Sequence, residues 1–102
     1  MKNIKKIVNK YVTEVIKSGI PVNSVYLFGS YAKGDSNVYS DIDVCVISSK
    51  FGKDYIEESL KLRSLTNNID SRIEAVPMNP KDFADKYSTL ASEIKKYGIP
   101  IT

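Results

Sequence analysis

The stretch LFGSYAKGDSNVYSDIDVCVI, residues 27–47, decides how the chain is interpreted. A short apolar run stops at Gly29-Ser30, a polar loop follows, and a second apolar run begins with Asp41 and Asp43. Successive side chains of a strand point to opposite faces, so two aspartates separated by one residue share a face. The pattern predicts a strand, a glycine-containing turn and a second strand that carries two neighbouring carboxylates at its start.

The composition predicts one ordinary globular domain over residues 1–102. Apolar residues make up 42% of the chain and charged residues 26%, which is typical of a globular protein with its own core. The formal net charge is +3, which is too small to indicate a nucleic-acid-binding protein by itself. The charge therefore gives no strong reason to expect a nucleic-acid partner.

The absence of histidine and the presence of a single cysteine exclude several chemistries. Without histidine, Ser–His and Cys–His nucleophile pairs and most zinc sites are ruled out. Cys45 has no partner for a disulfide within the chain, and its apolar surroundings favour a buried small side chain. The first ten residues lack the apolar segment of a signal peptide, and no stretch is long enough to span a membrane. We therefore expect a reduced, cytoplasmic protein.

Apolar spacing and turn residues predict an α/β (α+β) fold, in which helices pack on a small mixed sheet of about three strands. The predicted order is helix, strand, short helical turn, strand, helix, strand, helix. The central strand is apolar on both faces after its aspartates, so we expect helices to cover both sides of it. The predicted elements are a first helix that ends before Gly19, strands at Val25–Phe28, Ile42–Ile47 and Arg72–Met78, a turn at Ser30–Lys33, and helices at Asp54–Leu65 and Lys81–Tyr97.

The same spacing predicts which side of each helix faces the core. In the first helix this side is an apolar stripe that runs from Ile4 to Ile16. In the two long helices that follow, the residues expected to face inward are Tyr55, Ile56, Leu60 and Leu62, and then Phe83, Tyr87, Leu90, Ala91, Ile94 and Tyr97.

Asp41 and Asp43 indicate a site for a divalent cation. Two carboxylates this close repel each other, and burying both without a partner carries a large penalty. Hard oxygen ligands of this kind suit Mg²⁺, which takes a few carboxylates together with waters and substrate phosphates. A third acidic residue would complete the site and serve as a general base. Glu74 in the third strand is the preferred candidate, and Asp70 in the preceding NNID segment is the alternative.

The turn between the first two strands has the residues of a phosphate-binding loop. Gly29 lacks a Cβ, so an anion can approach its backbone. Ser30 begins the next turn, where its hydroxyl and free N–H groups are donors, and Lys33 can meet a phosphate as a point charge. Phosphates held by the loop, beside a metal held by the next strand, are what transfer from a nucleoside triphosphate requires.

Two segments together resemble a known signature. GSYAKG at residues 29–34, followed by SDIDV at residues 40–44, is similar to the motif of the nucleotidyltransferase superfamily that includes DNA polymerase β. The resemblance is greatest to the minimal nucleotidyltransferase domains of prokaryotes, some of which are antitoxins paired with HEPN-type toxins. Either segment alone would be a weak signal, but both at this spacing between two apolar runs are specific.

The resemblance implies which residues bind nucleotide. Gly29 and Ser30 match the pair that binds the triphosphate of ATP or another nucleoside triphosphate in relatives. We place Lys33 and Ser40 with this group. The nucleotide itself is not specified by these residues, and AMP transfer from ATP is the first expectation.

The resemblance also implies the chemistry. Asp41 and Asp43 match the aspartates that bind two Mg²⁺ ions, and Glu74 matches the third carboxylate, which helps to deprotonate the acceptor hydroxyl. Relatives commonly carry aspartate at that place. The expected reaction is transfer of a nucleoside monophosphate to a hydroxyl, with tyrosine on a HEPN-type toxin as one candidate acceptor. The alternative is an antitoxin or nucleotide-binding module that acts by protein contact without catalysis.

Overall fold

A four-stranded mixed sheet forms the centre of the computed structural model, which describes residues 2–101. Met1 and Thr102, the ends of the predicted domain, lie outside the described residues. The strands are β1 (Ser24–Phe28), β2 (Ile42–Ile47), β3 (Ile73–Met78) and β4 (Ile99–Pro100), in the order β3-β2-β1-β4. β2 is parallel to β3 and antiparallel to β1, and β4 is antiparallel to β1. The helices are α1 (Lys2–Lys17), α2 (Ser30–Lys33), α3 (Tyr55–Ser64), α4 (Pro80–Ala84) and α5 (Thr89–Tyr97).

One face of the sheet is closed by helices. Ile42, Val44 and Val46 alternate along β2 and are fully buried. The apolar stripe of α1 packs on them, with Tyr11 and Val15 completely buried in the same cluster. The Tyr11 hydroxyl donates a 2.7 Å hydrogen bond to the backbone carbonyl of Leu62, so α1 and α3 are tied together inside this core. The predicted inward stripe of α1 is confirmed except at its end, where Ile16 is 54% exposed.

The other face of the sheet is covered in part. Cys45 and Ile47 of β2 pack against Ala91 and Ile94 of α5, together with Phe28 and Met78. Cys45 is fully buried, as predicted, and burial raises the pKa of its thiol to about 12, so it stays protonated at neutral pH. Its environment is that of a structural cysteine. The start of β2, at Asp43, lies beyond this apolar cluster.

The single helix predicted over Lys81–Tyr97 is wrong, because the structure has two helices separated by residues 85–88. The side chain of Asp85 accepts a hydrogen bond from the Tyr87 backbone N–H, and Ser88 caps α5 by accepting one from Ala91. Such local bonds compete with the helix for backbone donors. The predicted inward positions of Tyr87 and Tyr97 are also wrong, since these side chains are 82% and 46% exposed.

The sheet has one more strand than the sequence predicts. Gly98 ends α5, where its N–H donates to the Ile94 carbonyl, and the chain then pairs with β1 through Ile99 and Pro100. Two residues are too few for an alternating pattern to be recognised. Proline is tolerated here because β4 is an edge strand, where the missing N–H disturbs no second ladder.

The core-facing side of α3 also differs from the prediction. Leu62 is fully buried as predicted, but Tyr55, Ile56 and Leu60 are 60%, 72% and 61% exposed. The helix lies mainly against β3, the edge strand of the sheet, and reaches α1 through Leu62, so a narrow side of it is covered. Within residues 2–101, no helix combines the length and the apolar character needed to cross a membrane.

Candidate functional site

The turn from β1 into α2 is built around Gly29. Its φ of 72° lies in a region that side chains other than glycine rarely adopt. A Cβ at this position would also collide with the carboxylate of Asp43 in the neighbouring strand. Glycine is therefore required twice, for the backbone conformation and for the space in which the Asp43 carboxylate lies against the loop.

Ser30 begins the short helix that follows Gly29. The helix closes at Gly34, whose left-handed conformation lets its N–H donate to the Ser30 carbonyl. Ser30 and Lys33 are three residues apart, so their side chains lie on one side of this turn. The predicted helical turn at Ser30–Lys33 is confirmed. Gly29 and Ser30 thus form a compact loop directly beside the first carboxylates of β2.

Two strands bring the acidic residues to one end of the sheet. Asp43 is opposite Phe28 of β1 on one side and opposite Glu74 of β3 on the other. Asp41 precedes β2 and is exposed, as is Glu74, whereas Asp43 is half-buried. Residues two apart in a strand share a face, so Asp43 lies on the same, partly covered side of the sheet as Cys45. Asp41 lies two residues before Asp43, at the entrance to the strand.

The environment of Asp43 disfavours its charged form. Burial is the main cause that raises the pKa of this carboxyl group above its ordinary value. The negative charges of Asp41, Glu74 and Glu93 raise it further. A cation bound at this place would relieve the repulsion, so the charge distribution fits a site for a positive ligand.

The three predicted metal ligands are not assembled into a cluster. Among residues 2–101, no group of three or more histidine, cysteine, aspartate or glutamate side chains has an arrangement that could hold a metal ion. Mg²⁺ is commonly bound through only one or two protein carboxylates, with phosphates and waters as the other ligands. Asp41 and Asp43 supply two carboxylates, so the donor set fits Mg²⁺ bound together with a nucleotide.

Asp70, the alternative third acid, has another partner. Its carboxylate binds the guanidinium of Arg72 in two contacts, Oδ2 to Nη2 at 2.8 Å and Oδ1 to Nε at 3.1 Å. The hydrogen bonds from Arg72 lower the pKa of Asp70. Asp70 lies in the turn region before β3, whereas Glu74 lies in the strand directly beside Asp43. By its position in the ladder beside Asp43, Glu74 is the better placed of the two.

Arg72 also joins the loop to the sheet. Its Nη1 donates to the hydroxyl of Tyr31 at 3.3 Å, and that hydroxyl donates to the Asn37 carbonyl at 3.3 Å. These contacts link α2, the loop after it and the start of β3. This role of Tyr31 cannot be predicted from the sequence, since a tyrosine inside the GSYAKG segment has no spacing that distinguishes it.

Ser40, predicted to bind nucleotide, holds the loop before β2. Its Oγ accepts a 2.9 Å hydrogen bond from the Asn37 N–H, and its own N–H donates to the Asn37 carbonyl. This pair of bonds closes a tight turn just before Asp41. The hydroxyl therefore supports the position of the aspartates, and a contact with nucleotide stays a prediction.

Lys33, the other predicted nucleotide ligand, contacts α5. Its Nζ lies 2.7 Å from Oε1 of Glu93 and 5.2 Å from the centre of the Tyr97 ring. The hydrogen bond and the charge of Glu93 raise the pKa of Lys33. Glu93 is thus a fourth acidic residue at this end of the molecule. No sequence signal pointed to it, because it lies 60 residues from Lys33 in a helix of ordinary composition.

A groove of about 310 Å³ runs along the outer edge of β3. Its walls include Ser59 and Arg63 of α3 on one side and Glu74 and Val76 of β3 on the other. Glu74 is the one of the three predicted carboxylates that lines this groove. The groove therefore offers space for a ligand beside Glu74, at the outer edge of the sheet.

Comparison with known proteins identifies the family. The family model described as "nucleotidyltransferase domain" matches residues 1–99. A protein of Methanocaldococcus jannaschii that carries the provisional name of protein adenylyltransferase is 31% identical over 91 residues. That match covers 80% of this chain and 62% of the relative, so the chain spans less than two thirds of the relative's length.

Solved structures share the fold. A Sulfolobus solfataricus protein provisionally assigned as a nucleotidyltransferase superposes with a TM-score of 0.68 at 19% identity, covering 96% of this chain and 78% of its own. A toxin–antitoxin structure with AMP-PNP gives a TM-score of 0.66 at 24% identity, covering 91% and 71%. At these identities the likeness concerns the fold alone, and it confirms the predicted fold class. Since the family model spans almost the whole sequence, the chain belongs to the nucleotidyltransferase domain family.

Proposed function

We propose that this protein transfers a nucleoside monophosphate from a nucleoside triphosphate to a hydroxyl group, with AMP from ATP as the first candidate. The observation that carries the proposal is the contact between Gly29 and Asp43, where a loop suited to phosphate meets a carboxylate suited to a cation. Membership of the nucleotidyltransferase family and the provisional name of the archaeal relative support it.

The Gly29 loop binds the triphosphate in this proposal. The backbone at Gly29 is open to an anion because no Cβ is present, and the Ser30 hydroxyl adds a donor beside it. The AMP-PNP in the toxin–antitoxin neighbour supports a nucleoside triphosphate as the ligand. Lys33 lies on the same side of α2 as Ser30 and supplies the nearby positive charge.

Asp41 and Asp43 hold Mg²⁺ in this proposal, with Glu74 as a third oxygen donor. When bound, the ion supplies positive charge that neutralises the phosphates and the leaving pyrophosphate. The half-buried position of Asp43 keeps water away from one side of the carboxylate, which strengthens its electrostatic interactions. Asp41 is exposed and adjusts its position at low cost.

Glu74 acts as the general base. Its carboxylate is exposed at the edge groove and is adjacent to Asp43 across the ladder. It accepts the proton of the acceptor hydroxyl while the hydroxyl oxygen bonds to the α-phosphorus and the bond to the leaving pyrophosphate breaks. The edge groove lies along β3, on the other side of β2 from the loop after β1, and in this proposal the acceptor enters there.

The acceptor proposed is a hydroxyl on a partner protein. The provisional name of the archaeal relative concerns protein adenylylation, and the toxin–antitoxin neighbour supports an antitoxin role with a toxin as partner. A tyrosine of a HEPN-type toxin remains the first candidate. An exposed groove beside Glu74, wide enough for side chains, is consistent with an acceptor of this size.

A second candidate function is neutralisation of a toxin by contact without transfer. It is favoured by the toxin–antitoxin neighbour, since an antitoxin can also neutralise its toxin by binding it. Under this alternative, nucleotide binding is absent or only regulatory. Toxin inhibition that persists in an Asp43→Asn variant would support contact alone. If wild type adds the mass of a nucleoside monophosphate to the toxin, and the variant neither adds this mass nor inhibits the toxin, the result would support transfer.

Calorimetric titration with ATP, with and without Mg²⁺, tests the proposed site first. We expect wild type to bind ATP in a Mg²⁺-dependent manner and Asp43→Asn to lose that dependence, because a neutral amide is a poor ligand for a hard cation. Asp82→Asn is the matched control, since it makes the same chemical change at an exposed position of α4. ATP binding by Asp43→Asn that equals wild type would contradict the assignment.

A further inference from the structure

Lys33, the cation beside the Gly29 loop, is paired with an acidic side chain of α5. Lys33 Nζ lies 2.7 Å from Glu93 Oε1 and faces the ring of Tyr97, so two residues of α5 hold the ammonium group. Lys33 is the basic residue in the last turn of α2, next to Gly34. A phosphate at Gly29 and Ser30 would therefore have to compete with Glu93 for this cation.

The ion pair between Lys33 and Glu93 is weak enough for a phosphate to replace Glu93. The two side chains are 36% and 37% exposed, and exposed ion pairs stabilise folded proteins only weakly. A phosphate group carries more charge than a carboxylate, and hydrogen bonds between ions are among the stronger polar contacts. Replacement of Glu93 by a phosphate as the partner of Lys33 is thus favourable. The affinity for the phosphate is still lowered by the free energy needed to separate Lys33 from Glu93.

We propose that Glu93 is a positioning residue of the nucleotide site, which holds Lys33 in the free protein and releases it to a phosphate when a nucleoside triphosphate binds. This inference rests on the proposed function, since it requires nucleotide at the Gly29 loop. Glu93 limits the affinity, and Tyr97 keeps the ammonium group near the loop in the free protein. In this proposal, binding of a nucleotide at the Gly29 loop changes a contact of α5, the last helix.

A double-mutant cycle with Mg²⁺ and ATP tests the exchange. The variants are Glu93→Gln, Lys33→Met and the combination, each measured by calorimetry. Glu93→Gln should bind ATP about two- to fivefold more tightly, as expected for loss of one exposed ion pair. Lys33→Met should bind about tenfold more weakly, because a charged hydrogen bond to phosphate is lost. In the Lys33→Met background, Glu93→Gln should change the affinity less than it does in wild type.

The matched control is Glu57→Gln, which alters the net charge equally at an exposed position of α3. Thermal unfolding of every variant verifies that the fold is retained. Unchanged or weaker ATP binding by Glu93→Gln would overturn the inference, and so would an equal gain with and without Lys33, because the effect would then be one of general charge. Absence of ATP binding by wild type would remove the proposed function together with this inference. Equal ATP binding by wild type and Glu93→Gln would refute this inference and leave the proposed function intact.

Discussion

The two faces of strand β2 differ in how completely helices cover them. Ile42, Val44 and Val46 point to the face closed by α1 and are fully buried among apolar side chains. On the other face, α5 covers Cys45 and Ile47, and the end of the strand with Asp43 is only half-buried. A single strand of six residues therefore stabilises the fold from one face and presents a carboxylate from the other.

The difference shows where substitutions can separate stability from chemistry. On the closed face, a lost methyl group leaves a cavity that the surrounding helices cannot fill. On the open face, charge and space at Gly29, Asp43 and Glu74 matter more than packing. Changes on the closed face should therefore lower the free energy of unfolding, whereas changes on the open face should chiefly affect ATP binding.

The largest effect on stability is expected inside the closed face. Leu62→Ala removes a fully buried side chain of the α1 cluster and should reduce the free energy of unfolding by about 2–5 kcal/mol. Leu60→Ala makes the same change two residues away, where the side chain is 61% exposed, and should stay within about 0.5 kcal/mol. Urea unfolding measures both variants. A similar loss in the two would mean that the outer side of α3 is covered in solution.

Gly29→Ala should affect both stability and binding. The positive φ and the collision with Asp43 together should reduce the free energy of unfolding by about 1–3 kcal/mol and displace the carboxylate. Chemical denaturation and ATP titration measure the two effects. Gly34→Ala is the matched control, because it also has a positive φ but no atom within 4 Å of the added Cβ. Loss of ATP binding in both variants would show that the positive-φ backbone of the loop, rather than the contact with Asp43, is what matters.

The elements around the site could be predicted because their signals are local. β2, α2 and the end of α1 agree with the predicted spans, since alternation, glycine and helical spacing all act within a few residues. The pattern of its own strand favours Glu74 over Asp70, and the ladder places Glu74 beside Asp43. The assignment of metal and nucleotide to these residues stays a prediction, as do the single-domain span and a cytoplasmic location.

The features that could not be predicted depend on contacts distant in sequence. The spacing of apolar residues in α3 is helical, but only the packed structure shows that β3 is an edge strand and leaves Ile56 and Leu60 outside. The sequence predicts Lys33 as a cation of the loop, yet its partner Glu93 lies in α5 and is brought to it only by the folded chain. The pairing of Arg72 with Tyr31 has the same origin.

The smallest effect concerns the pH dependence of stability at the open face. Burial and neighbouring charges give Asp43 a higher pKa in the folded chain than in the unfolded chain. The folded state then binds the proton more tightly, so this group makes the protein less stable as the pH rises from the ordinary aspartate pKa through the raised value. Asparagine does not ionise, so Asp43→Asn should be more stable than wild type at neutral pH.

That advantage should shrink as the pH falls below the ordinary aspartate pKa, where Asp43 is protonated in both states. Urea unfolding midpoints at neutral pH and at about pH 3 measure the change, with Asp82→Asn in α4 as the matched control. An Asp43→Asn variant that is less stable than wild type at neutral pH would mean that the carboxylate stabilises the fold. The open face would then contribute to stability as the closed face does, and the separation between the two faces of β2 would fail.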